Sequence, residues 1–411
     1  MPVFSIPLSG LNSSSAALSN IANNLANLNT VGYKEQTTLF KDLFYQTIGT
    51  TGSGDPIQTG AGSAVDSVSS NFKPGSLEST GVATDVAITG DGFFVTQSGG
   101  VFSYTRAGNF SKGDDGTLVT SEGSQVMGYP AVNGQISQTG GLAAINVGSG
   151  YFSPPNATSY VRLATNLNAN AAIGDSYPTS ATIYDSLGQG HAITFQFTKT
   201  AASTWTYDIT IPGAEVGSTN PTVSLGTGTL TFDGKGQLAT PASDIKGLSV
   251  AAFADGASPL TFDWDLYGGA GSSLTQVASP NSTRATSQDG YSSGSLQDFA
   301  IGSDGIVEGT FSNGKSIVLG QLVLANFPNV QGLVRKGGNV LQSSLASGAP
   351  AIGAPGTGGR GKLSGGALEL SNVDIASEFA KLITSQRAFQ ANARTITSFD
   401  EIMQDTINLK R

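Results

Sequence analysis

Residues 371–411 read SNVDIASEFAKLITSQRAFQANARTITSFDEIMQDTINLKR, a stretch without proline or glycine in a chain that holds 55 Gly and 16 Pro. Ile375, Leu382, Phe389, Ile396 and Met403 recur every seven residues. Phe379, Gln386, Ala393, Asp400 and Ile407 form a second series four residues behind the first. Alternating steps of four and three are the a/d pattern of a coiled coil, so the stretch predicts one long terminal helix. An apolar seam of this length is not stable alone in water and needs a partner.

A second heptad lies at the other end of the chain. Leu11, Ser14, Leu18, Ile21, Leu25 and Leu28 are spaced by threes and fours, with Asn12, Asn20, Asn23, Asn24, Asn27 and Asn29 on the remaining faces. Ser9 or Gly10 can open this helix and Thr30 to Gly32 can close it, Gly32 as a left-handed cap. Taken alone, such a stripe equally fits an amphipathic helix docked on its own domain. Helical heptads at both termini and almost nowhere between favour pairing of the two ends. The surplus length of the C-terminal helix then leaves a seam for other subunits. Before assembly that seam is expected to be loosely ordered.

Between the helices the pattern changes. Residues 33–70 mix aromatics and charges and then turn Gly/Ser-rich, an extended connector with short strands. From Phe72 to about Asn146 the period is two, with strands at 86–88, 92–96, 101–105, 117–120 and 124–128 between Gly-containing turns. Residues 151–284 form another β block, with strands at 181–185, 191–199, 204–211, 229–232 and 259–265. Asp185 to Gly188 and Asp233 to Gly236 are its turn signals. Strands resume to Leu345, where Asn313-Gly314 predicts a type I′ hairpin. Residues 346–366 are linker-like. The expected fold is multidomain α+β: terminal helices paired as a coiled-coil core domain, followed by nested, mainly antiparallel β domains. The boundaries are 1–32 with 371–411 for the helical core and 33–71 with 346–370 for the connectors. Residues 72–150 with 285–345 make a first β domain, and 151–284 an inserted outer one.

Composition excludes several function classes. Charged residues are only 12% and the net charge is −9, with no basic patch, so nucleic acid is not an expected partner. Cysteine is absent, which rules out disulfides, thiolate metal sites and a cysteine nucleophile. No Lys or Arg precedes Lys34 and no secretory apolar run follows the start, so no cleaved signal peptide is expected. No run of about 18 apolar residues suggests membrane insertion.

Catalytic constellations fail on inspection. Gly356 to Lys362 has phosphate-loop spacing, but Leu363 stands where a metal-binding hydroxyl is needed, and no buried strand precedes the loop. His191 is the only histidine and reads as a surface or turn residue at a strand start. Asp114-Asp115-Gly116 reads as a turn, and neither that pair nor Asp263 and Asp265 has calcium-loop spacing. No enzyme activity, catalytic residue, cofactor or metal is expected.

Three separated motifs carry a resemblance. LSGLNSSSAALSNIANNLANLNTVGYKE near the N-terminus, GDGFFVTQSGGVFSYTRAGNFSKGDDGTLVTSEGSQVMGYP in the first β segment, and GALELSNVDIASEFAKLITSQRAFQANARTITSFDEIMQDTINLKR at the C-terminus resemble the flagellar rod and hook axial proteins. Roughly half of the chain matches in style. The extra domain at 151–284 and SDGIVEGTFSNGKSIVLGQLVLANFPNVQGL resemble the hook branch of that family.

The resemblance implies a subunit exported through the flagellar type III apparatus that polymerises into a curved, flexible tube transmitting torque. Implied partners are further copies of itself, the distal rod, the hook cap and the hook–filament junction proteins. The implied location is extracellular, in the hook. The assembly core is expected at Leu11, Leu18, Ile21, Leu25 and Leu28, facing Ile375, Phe379, Leu382, Gln386, Phe389, Ala393, Ile396, Met403 and Ile407. A distal-rod type axial protein and a secreted β-rich surface or adhesion protein are the alternative readings.

Overall fold

A computed structural model describes residues 5–44, 46–132, 134–148, 150–268 and 271–408. The ends of the expected helical core, residues 1–4 and 409–411, lie outside them. The chain divides into two units. The first comprises Met1–Gly148, Asp298–Thr310 and Ser316–Arg411, the second Ser149–Gln297 and Phe311–Lys315. The architecture is mostly β with one helix near each terminus.

In the first unit, α1 runs Ser5–Ala26 and α2 runs Ile375–Asn408. The absence of Gly and Pro lets α2 continue for 34 residues, about 50 Å at 1.5 Å per residue. It begins later than the sequence suggests because Asp374 caps it, its carboxylate accepting the Ser377 amide at 2.6 Å. α1 stops before the expected cap. Gly32 does take a left-handed φ of 69°, but its amide bonds to the Glu369 carbonyl instead of closing the helix. A Cβ there would lie 2.6 Å from the Ala107 nitrogen, so close backbone approach fixes the glycine.

The β part of this unit follows the period-two segments. Strands occur at Val86–Thr89, Phe93–Ser98, Val101–Thr105 and Gln125–Val132. Phe93–Ser98 pairs antiparallel with Val101–Thr105 and with Gln125–Val132. The core gathers Phe93, Val95, Tyr104, Met127, Val323 and Phe327.

Residues 346–366 are not a free linker. Ala351–Gly353 pairs with Leu324–Asn326, and Lys362–Gly365 pairs with Val86–Thr89. Their Gly/Pro-rich sequence hides short strands that gain order only from partners distant in the chain. The connector following α1 likewise forms an antiparallel ribbon, Gln36–Asp42 against Ser63–Ser70.

The second unit contains two five-stranded sheets. One orders Ser176–Tyr184, Gly190–Ala201, Thr204–Pro212, Thr222–Phe232 and Leu238–Thr240 by antiparallel pairing. The other is mixed, because Tyr160–Asn168 runs parallel to Leu260–Trp264 and Leu274–Val277. Alternate residues of both sheets supply one core, with Trp205, Trp264, Phe195, Phe197 and Phe262 fully buried.

Two local expectations change here. Asn313 does not adopt positive φ; only Gly314 does, at 73°, so the turn is not type I′. The Phe311 amide bonds to the Lys315 carbonyl, and the Asn313 amide group donates to Ser292 O at 2.9 Å, which holds the turn as a bulged one. His191 is not a surface residue. It is 4% exposed and stacks on Phe253, with ring centroids 4.3 Å apart.

The paired acids have structural partners. The Asp263 carboxylate accepts the Gly247 amide, and Asp265 pairs with Arg162. Asp115 accepts Thr117 in a turn.

Candidate assembly surface

The two helices meet in the first unit. The Asn24 side chain on α1 donates to Glu378 Oε2 on α2 at 3.0 Å. Fourteen residues toward the N-terminus, Gly10 lies against the Asn392 side chain, which is fourteen residues further along α2. Equal spacing in opposite directions means that the helices run antiparallel. Gly10 permits the approach, since a Cβ there would come within 2.8 Å of Asn392.

The half-buried stripe of α2 runs through Leu382, Ser385, Phe389, Asn392, Ala393 and Ile396. Other apolar side chains of α2 stay exposed near its two ends. Ile375, Phe379 and Ile383 are about half exposed, as are Ile402, Met403 and Ile407 further along. Beyond Thr397 the helix has passed the described part of α1 in this register.

Polar side chains fix the root of the pair. Asn24 is buried, although the sequence pattern assigns it to a polar face. Its amide nitrogen also donates to Gln36 O, and its oxygen accepts the Gln36 amide and the Tyr33 hydroxyl. All its hydrogen-bonding capacity is thereby used, which offsets the cost of burial. Lys381 bridges Glu378 at 2.6 Å and Glu35 at 2.7 Å. Asn372 accepts the Glu35 amide and donates to the Asn71 carbonyl, tying the approach to α2 to both ends of the connector that follows α1.

Below this lies a buried ionic triad. Glu369 accepts Lys34 Nζ at 2.6 Å and receives Arg106 at two points, 2.9 and 3.2 Å. The three side chains are at most 4% exposed. Burial pushes the Glu369 carboxyl upward, but Arg106 and Lys34 outweigh it and hold its pKa below the usual range. Burial, reinforced by Arg106, lowers the Lys34 ammonium.

Comparison with known proteins decides the family. The chain is 35% identical to the flagellar hook protein FlgE of Salmonella typhimurium over 426 residues, spanning 99% of this chain and 100% of that one. It is 35% identical to the FlgE of Escherichia coli, with the same coverage, and 33% identical to that of Treponema pallidum, over 98% of both chains. The chain belongs to the flagellar hook protein family. Four family models match this hook protein in order. They are the flagella basal body rod protein over residues 6–34, the flagellar hook protein FlgE/F/G D1 domain over 87–163, the flagellar basal body protein FlaE D2 domain over 155–291 and the flagellar basal body rod FlgEFG protein C-terminal over 364–409. The crystal structure of Helicobacter pylori flagellar hook protein FlgE2 shares the fold, with a TM-score of 0.50 at 15% identity over 70% of this chain and 98% of that one.

In the hook protein, Leu11, Leu18, Leu25 and Leu28 are half-buried and Ile21 is buried. Leu382, Phe389, Ala393 and Ile396 are half-buried on α2. Ile375, Phe379, Gln386, Asp400, Met403 and Ile407 are exposed, and Asp400 accepts Gln404 on its own helix at 3.0 Å. Pattern reading missed Asn24, Glu378, Lys381, Lys34, Arg106 and Glu369. The available signal was rarity: charges amid apolar neighbours in GYKE, YTRAG and ALEL, within a chain that carries few.

Proposed function

We propose that this hook protein polymerises through its helix pair into a curved, flexible tube that transmits torque from rod to filament. The observation carrying the proposal is the set of apolar side chains of α2 that stay about half exposed, Ile375, Phe379 and Ile383 in its first turns with Ile402, Met403 and Ile407 towards its end. Burial of half-exposed side chains of this size contributes on the order of 1 kcal/mol each. Heterologous contacts of this kind, repeated by a screw operation, give an open polymer.

In this reading the helices form a coiled-coil inner core from 1–32 and 371–411. Residues 33–71 and 346–370 act as connectors, 72–150 with 285–345 as a first β domain, and 151–284 as the outer domain. Leu11, Leu18, Ile21, Leu25 and Leu28 face Ile375, Phe379, Leu382, Phe389, Ala393, Ile396, Met403 and Ile407 within and between subunits. Gln386 and Asp400 set register between copies, as single polar seam residues do in coiled coils. Ordering of the seam is coupled to assembly, so it completes at the growing tip. Export proceeds through the type III apparatus, and the polymer joins the distal rod, the hook cap and the hook–filament junction proteins.

Truncation tests the core. Removing residues 372–411 abolishes polymers seen by electron microscopy yet leaves a soluble β fragment; polymers from that fragment would refute the assignment.

A further inference from the structure

The chain's only histidine sits in a cluster that the assembly role does not use. His191 opens the strand Gly190–Ala201 in the second unit. Its Nε2 lies 3.1 Å from Asp185 Oδ2, and its Nδ1 lies 2.8 Å from Glu215 Oε2. Asp255 completes the group: ligand atoms of Asp185, His191 and Asp255 all lie within 4.8 Å of one another.

Charge balance makes the cluster unusual. Three carboxylates surround one imidazole, and Asp185 is fully buried. Among the described residues no Lys or Arg forms an ion pair with Asp185, Glu215 or Asp255. A buried carboxylate such as Asp185, beside a partly exposed Glu215 and an exposed Asp255 with no Lys or Arg among the described residues paired to any of them, is stabilised by a cation.

The orientations suit a metal ion. Asp185 Oδ1 is occupied by the amides of Leu187 and Gln189, which leaves Oδ2 facing the imidazole. Asp255 Oδ1 accepts the Ala257 amide, leaving its other oxygen to turn inward from an exposed loop. Phe253 stacks on His191 and the Ala254 amide bonds to Glu215 O, so the loop is pinned over the ring. A metal-bound histidine commonly donates its second ring N–H to a carboxylate, and Glu215 stands at that place.

We propose that Asp185, His191 Nε2 and Asp255 bind one divalent transition metal ion of the zinc class, with Glu215 orienting the imidazole through Nδ1–H. One nitrogen and two oxygens form a three-ligand set that leaves a fourth position for water. The ion ties the turn at Asp185, the short helix Gly213–Val216 and the loop at Asp255 to one strand end, a structural role in this unit.

The uniqueness of His191 makes the test direct. The full chain is labelled at histidine with ¹⁵N, stripped with EDTA and titrated with ZnCl₂, following binding by calorimetry and the ring nitrogens by NMR. One equivalent should bind, shift Nε2 as a metal-bound nitrogen and retain the Nδ1 proton. Asp255→Asn should weaken binding at least about tenfold while leaving the fluorescence of the buried Trp205 and Trp264 unchanged. Glu215→Gln should weaken binding by about 10- to 100-fold, as loss of an orienting partner does. If the ring keeps both protons at one equivalent of zinc, His191 is an imidazolium bridge and the metal site is wrong. Equal binding by wild type and Asp255→Asn overturns it as well.

Discussion

Replacing Glu369 with Gln keeps the size and shape of the side chain and removes one charge. Lys34 and Arg106, each 4% exposed, are then left as two buried cations without a counterion. Breaking a buried ion pair from one side costs roughly 3–5 kcal/mol. Lys34→Met is the milder change, because the two-point contact of Arg106 with Glu369 survives it. Loss of a charged hydrogen bond alone costs roughly 1.5–3 kcal/mol.

Native-state hydrogen exchange by mass spectrometry separates these outcomes unit by unit. Each 1.4 kcal/mol is about a factor of ten, so Glu369→Gln lowers protection of Phe93–Ser98 by about two to four orders of magnitude. Lys34→Met lowers it by about one to two. The strand Gly190–Ala201 belongs to the other unit and keeps its protection in both variants. If Glu369→Gln costs no more than Lys34→Met, or if both units lose protection equally, the triad does not anchor the first unit.

Acid should act through the same carboxylate. The folded pKa of Glu369 is depressed, so its contribution is present above the ordinary glutamate range and is lost as pH falls through the folded value. Protection of Phe93–Ser98 should therefore fall below about pH 4 in the wild type, and Glu369→Gln should show a flatter dependence over the same window. At the helix pair, Leu382→Asp puts a charge on the half-buried stripe of α2. It should block tube formation in electron micrographs while secretion of the subunit continues; normal hooks from this variant would sink the seam assignment.

Local signals carried much of the secondary structure. The period of two located the strand at 204–211 because alternating burial is a property of the strand by itself, whereas 86–88 is buried at every position. The absence of Gly and Pro located α2 for the same reason, since helix continuity depends on neighbouring residues. The Gly/Pro-rich run 346–366 was misread because its strands are stabilised by Val86–Thr89 and Leu324–Asn326, not by any periodicity of their own. The buried position of His191 was hidden in the same way: it depends on Phe253 and Glu215, which lie on other segments.

The sequence alone determined two terminal helices, the β character between them and the membership that three spaced motifs carry. Tertiary structure decided which side chains share a site. Lys34, Arg106 and Glu369 are drawn from the connector, the β domain and the approach to α2, and nothing in the local pattern of each reveals the other two. Buried charge is tolerable only where opposite charge and hydrogen bonds meet it, and that meeting is a property of the folded chain.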